Sequence, residues 1–94
     1  MRIVWLRKAL YDIDAIEEYA EQNNPADARA VEQKIKKTVS LLDCQPEIGR
    51  HGRVPDTREL VVPGTPYIVA YTIAKSEVVI LAVIHGARKW PDRL

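Results

Sequence analysis

Residues 67–85 read YIVAYTIAKSEVVILAVIH, and the fold turns on this stretch. Two β-rich runs, Tyr67 to Ala74 and Glu77 to His85, are separated only by Lys75-Ser76. A link of that length leaves room for a hairpin and nothing longer, so the two runs are predicted to pair antiparallel. Strand side chains alternate with period 2, which places Tyr67, Val69 and Tyr71 on one face and Ile68, Ala70 and Thr72 on the other. Both faces therefore carry apolar area. The second run is apolar on both sides from Val78 to Ile84, as expected of a central strand covered on each face.

Upstream, Thr57 to Val62 is a third β-type run, joined to Tyr67 by Pro63-Gly64-Thr65-Pro66, again a hairpin length. Before it, Gln45 to Asp56 holds two Gly and two Pro among Arg50, His51 and Arg53, the composition of a basic surface loop. Further upstream the period changes. Leu6, Ala9, Leu10, Ile13, Ile16 and Ala20 recur at helical spacing, with Asp12, Asp14, Glu17, Glu18 and Glu21 on the remaining, solvated faces. Asn24-Pro25 closes this helix and opens a second, with Asn24 as N-cap and Asp27 favourable to the dipole. Ala28, Val31, Ile35, Val39 and Leu42 form its stripe, and Pro46 stops it. So tight a link predicts an antiparallel helical hairpin. Ile3-Val4-Trp5 completes the sheet from the N-terminal end. The expected class is α+β in the order β-α-α-β-β-β: a helical hairpin on one face of a mostly antiparallel four-stranded sheet, formed by residues 1–94 as one domain. The other face is expected to be short of cover.

Composition narrows the function classes. No apolar run approaches the roughly 20 residues that span a bilayer, and Arg2, Arg7 and Lys8 interrupt any leader-like segment. A cytoplasmic protein without membrane contact is predicted. The single cysteine, Cys44, excludes an internal disulfide and a cysteine metal site, and its place at a helix end suggests burial or half-burial. Residues 1–50 carry eight Lys/Arg against nine Asp/Glu, and residues 51–94 carry six against four. Bulk charge thus does not demand nucleic acid, and only local clusters such as Arg50, Arg53 and Arg58 would matter. No P-loop, zinc spacing, nucleophile elbow or paired carboxylates occur; no metal and no cofactor are predicted.

Together with this order of elements, several local strings resemble the RelE/ParE superfamily of bacterial toxins across nearly the whole chain. They are Pro46-Glu47-Ile48-Gly49-Arg50, Arg53-Val54-Pro55 leading to Arg58-Glu59-Leu60, Tyr67-Ile68-Val69-Ala70-Tyr71, and Val83-Ile84-His85-Gly86-Ala87-Arg88. The resemblance implies a toxin neutralised by a cognate antitoxin, whose acidic, partly disordered C-terminal segment would hold it in a hetero-oligomer. Two activities occur in such toxins: cleavage of mRNA on the ribosome in RelE-like members, and poisoning of DNA gyrase in ParE-like members.

Metal-free RNA cleavage needs a base for the 2′-OH, cations for the phosphorane and an acid for the leaving oxygen. Were the chain an endoribonuclease, the candidates are His51, Arg58, His85 and Arg88. However, Leu60 and Ile68 stand where RelE-like enzymes resemble one another in carrying strand cations, and the tail Lys89-Trp90-Pro91-Asp92-Arg93-Leu94 has neither Tyr nor His. The Arg-Glu-hydrophobic opening, the Tyr-Ile-hydrophobic-x-Tyr strand and the terminal Ile-His-x-x-Arg look like ParE. The resemblance therefore points to a gyrase poison. The alternative is a ribosome-dependent mRNA endoribonuclease, and a third reading is a degenerate scaffold that only binds antitoxin. Candidate contacts with target or antitoxin are Arg50, Arg53, Arg58, Tyr67, Tyr71, His85, Arg88 and Trp90. Against these stand plainer roles: an ion pair for Arg58, a core stripe for Tyr67 and Tyr71, a strand-end hydrogen bond for His85 and an idle loop imidazole for His51.

Overall fold

A computed structural model describes residues 1–87. The chain runs through β1 (Arg2–Trp5), α1 (Arg7–Asn23), α2 (Pro25–Ser40), a 3-10 turn (Leu41–Asp43), β2 (Arg50–His51), β3 (Arg58–Val61), β4 (Tyr67–Ala74) and β5 (Glu77–His85). The strands form one sheet in the order β1-β5-β4-β3-β2, with β1 parallel to β5 and the other three ladders antiparallel. The α+β class and the helical hairpin are as the sequence predicts. The strand count is not: the sheet has five strands, because Arg50–His51 in the supposed loop pairs with Arg58 and Glu59. Two residues are too few to show a period, so no pattern announced this strand.

β4 and β5 pair over their whole lengths with one irregularity. Ala70 faces Ala82 and Tyr71 faces Ile80, which leaves Leu81 as an extra residue, a β-bulge. The bulge resets the alternation, so Val78, Ile80, Val83 and His85 share the face that Tyr67, Val69 and Tyr71 occupy. This face meets the helices. Ala9 and Ile13 of α1, Ile35 and Val39 of α2, and Leu42 pack there against Val62, Val69, Tyr71, Val78, Ile80 and Val83. The opposite face is better covered than expected: Ile68, Ala70 and Ala82 are all buried, and Val61 and Ala74 are exposed there at the rims.

Asn24 ends α1 and begins α2, its N–H donating to Ala20 O at 2.6 Å and its carbonyl accepting from Asp27 N–H at 3.0 Å. The expected side-chain cap does not form; Asn24 Nδ2 instead donates to Asp27 Oδ2 at 2.9 Å. Cys44 is exposed rather than buried. The chain leaves α2 through the 3-10 turn, whose tighter pitch turns Leu42 inward and Cys44 outward. Among the described residues no helix is long and apolar enough to cross a membrane.

Both residues of the β4–β5 turn are left-handed, Lys75 at φ 50° and Ser76 at φ 64°. This is the geometry a two-residue hairpin demands and one that only Gly, Asn or Asp adopt cheaply. Replacing Lys75-Ser76 by Asn-Gly is therefore expected to stabilise the protein by about 1 kcal/mol, read as a melting temperature raised by about 5 °C.

Candidate functional site

The basic residues of the β2–β3 edge are built around a buried acid. Glu59 stands opposite Arg50 and is 3% exposed. Its Oε1 accepts from Arg50 Nε and Nη2 at 3.3 and 3.1 Å, and its Oε2 accepts the Arg53 backbone N–H at 2.7 Å. Glu59 thereby ties the loop after β2 to the sheet. The Arg50 side chain is 59% exposed, so solvent screens its half of the ion pair.

On the helix-side face Arg58 stands between His51 and Tyr71. Arg58 Nη1 donates to Gly49 O at 2.8 Å and to Glu47 O at 3.2 Å. Tyr71 Oη donates to Pro46 O at 2.7 Å and accepts the Gly49 N–H at 2.9 Å. Burial pushes the Tyr71 phenol above its ordinary value, against the opposing pull of the Gly49 N–H and the Arg58 charge. Arg58 and Tyr71 thus pin the Pro46–Arg50 turn from below. Beside them opens a cleft of about 560 Å³, bordered by Glu47, His51, Thr57, Arg58 and Thr72.

Tyr67 and His85 lie at the other end of β4 and β5, stacked edge to face with ring centroids 5.6 Å apart and planes at 86°. His85 Nδ1 accepts the Ala87 N–H at 3.1 Å, which leaves Nε2 as the ring's donor nitrogen. The sequence candidates therefore do not form one constellation. Arg50 with the Arg53 backbone gathers at Glu59, His51 and Arg58 share the edge cleft, and Tyr67 pairs with His85 about 13 Å away along β4. Tyr71 is fully buried and belongs to the core. Arg88 and Trp90 lie outside the described residues. Among the described residues no cluster of His, Cys, Asp and Glu can hold a metal ion.

Sequence reasoning missed two acids. Glu59 carried a signal, since strand alternation puts it on the face opposite Leu60 and it directly follows Arg58 in the chain. Asp12 was read as part of a solvated helix face, yet its Oδ2 accepts the Val83 N–H at 3.0 Å, across 71 residues of chain. No local pattern could have shown this.

A helical hairpin packed on a five-stranded mixed sheet is the architecture this chain shares with RelE/ParE toxins. Residues 3–90 match the family model for the ParE toxin of type II toxin-antitoxin system, parDE. Y4kP of Sinorhizobium fredii strain NGR234 is 41% identical over 93 residues, covering 99% of this chain and 96% of that protein. Toxin RelE2 of Caulobacter vibrioides is 33% identical over 87 residues, covering 93% and 97%. A chain of the chromosomal ParDE TA system from P. aeruginosa superposes with a TM-score of 0.84 at 28% identity, covering 90% of this chain and 95% of that one. The chain belongs to the ParE toxin family of type II toxin-antitoxin systems.

Proposed function

We propose that this ParE-type toxin arrests growth by binding DNA gyrase in the cytoplasm and is neutralised by a cognate antitoxin encoded beside it. The observation that carries the choice is how the basic residues are used. Arg50 is engaged by Glu59, and Arg58 is engaged by the carbonyls of Glu47 and Gly49. Leu60 packs against the core and Ile68 is buried, so neither place offers a cation to a phosphate. An edge whose arginines hold its own loop in shape suits a binding surface better than a nuclease centre. The solved ParDE relative supports an antitoxin partner, and residues 1–94 acting as one domain would form a hetero-oligomer with it.

A second reading, ribosome-associated mRNA cleavage, draws on one observation: His51 and Arg58 border the same cleft, an imidazole beside a guanidinium. The two separate on purified components. Inhibition of gyrase supercoiling is expected, relieved by adding the co-encoded antitoxin, with His51→Ala weakening it about fivefold through loss of an exposed contact. Induced cells should filament with a DNA-damage response. Transcripts cut at ribosomal A-site codons, with supercoiling untouched, would replace this reading by the nuclease one. Absence of growth arrest would leave only an antitoxin-binding scaffold.

A further inference from the structure

β5 is nine residues long and its parallel neighbour β1 only four. β1 ends opposite Ile80, where the Leu6 N–H closes on Ile80 O at 3.0 Å. Past that point β5 has, among the described residues, no strand on its β1 side, and α1 supplies an acceptor through Asp12 Oδ2 on the Val83 N–H. The other oxygen, Oδ1, accepts Lys8 Nζ at 2.5 Å. An ionised carboxylate has about four acceptor positions, so two remain. The Asp12 side chain is 18% exposed, enough to be reached from outside.

What it faces is a cleft of about 310 Å³ between α1 and the β4–β5 end, walled by Ile16, Tyr19, Tyr67, Val83 and His85. Among the described residues that line it there is no Lys or Arg. Lys8 approaches the carboxylate from the helical turn before it and is itself 65% exposed, so this i,i+4 pair is weak and exchangeable. Its presence shows that Oδ1 accepts an organic cation in this geometry. The rings of Tyr19 and Tyr67 line the cleft, and His85, whose Nδ1 accepts the Ala87 N–H, keeps Nε2–H to donate. One carboxylate anchored by a strand edge, two tyrosines and an imidazole donor match a planar cation with a carbonyl nearby. That is an arginine in an extended peptide: guanidinium to Asp12, stacking on tyrosine, backbone carbonyl to His85.

We propose that this cleft is a receptor for an arginine side chain presented by a protein partner. The site is separate from the His51–Arg58 cleft and does not depend on which cellular target the toxin inhibits.

The test titrates the full-length, isotopically labelled protein with N-acetyl-arginine-N′-methylamide and follows the His85 and Tyr67 ring signals and the Val83 amide. The uncharged citrulline analogue is the control. The arginine compound is expected to shift these signals and to bind about tenfold more tightly than the citrulline compound, the usual margin of a charge-assisted hydrogen bond. Asp12→Asn keeps a carbonyl for the Val83 N–H while removing the charge, and it should erase that preference. Tyr19→Ala, at a position 60% exposed and so without consequence for the fold, should weaken binding about threefold. Equal affinity for arginine and citrulline, or shifts elsewhere than this cleft, overturns the proposal whatever the variants do. Undiminished arginine preference in Asp12→Asn overturns the role of the carboxylate.

Discussion

Tyr71→Phe is expected to lower the melting temperature by about 10 °C while changing no apolar contact, an unusual cost for the loss of one oxygen. The phenol is fully buried and its hydroxyl makes two bonds, donating to Pro46 O and accepting the Gly49 N–H. Removing it strands a buried amide and a carbonyl on the turn that carries Arg50, at a cost of about 2 kcal/mol. For a domain of this size that converts to the stated temperature at about 4–8 °C per kcal/mol. Gly49 gives an independent check from the other side. A Cβ built there would lie 2.6 Å from the Tyr71 hydroxyl and 3.0 Å from the Glu59 carbonyl. The backbone cannot retreat from itself, so Gly49→Ala should cost about 2 kcal/mol as well. The two losses act on one contact and should not add. Additive losses would show that the turn is held by something other than Tyr71.

The tyrosine also sets an alkaline limit. Its pKa is raised above 10.0, chiefly by burial. The protonated phenol is thus favoured in the folded state, and its contribution is complete below pH 10 and lost as pH rises through the folded value. Wild-type stability should fall above pH 10 more steeply than that of Tyr71→Phe. Parallel curves would show that the phenol titrates freely.

Glu59→Ala is the second large effect, about 2 kcal/mol, seen in urea as a lower midpoint with unchanged slope. The cost comes from the Arg53 N–H, which loses its 2.7 Å acceptor near a residue 3% exposed, more than from Arg50, whose exposed guanidinium rehydrates. Two companions make the assignment testable. Glu59→Gln retains a carbonyl acceptor for the Arg53 N–H and should recover most of the loss. Arg50→Ala should cost about 0.5 kcal/mol, as a screened surface pair does. An Arg50→Ala variant as damaged as Glu59→Ala would mean that the ion pair, not the backbone tether, holds the edge. Because the tether shapes the His51–Arg58 cleft, the alanine variant should also lose inhibition of its target, and the glutamine variant should keep it.

These expectations rest on features that the sequence displays unequally. The helical stripe of Ala9, Ile13 and Ile16 and the alternation along Tyr67 to Ala74 are local, repeated over several turns or pleats, and legible from one chain. The hairpin follows from the shortness of Lys75-Ser76, which admits no other connection. The resemblance to ParE was likewise carried by strings of residues at fixed order. Arg58 was legible as a functional candidate, but its engagement with Glu47 and Gly49 was not, since both partners are backbone carbonyls and every residue has one.

What the tertiary structure alone decided is where segments distant in sequence supply each other's missing partners. β2 exists because Arg50 and His51 find Glu59 and Arg58 to pair with, not because two residues prefer a strand. The bulge at Leu81 follows from the paired register of β4 and β5, and it turns Val83 and His85 to the helix side. Asp12 caps Val83 because β1 stops five residues before β5 does, a difference in length that appears only once the strands lie side by side. By itself the sequence determined the two helices, the four strands other than β2, their order and the family, because periodicity and turn length act between near neighbours. The assignment of each polar group to its partner came from packing, since a hydrogen bond depends on angstrom-scale proximity and not on spacing along the chain.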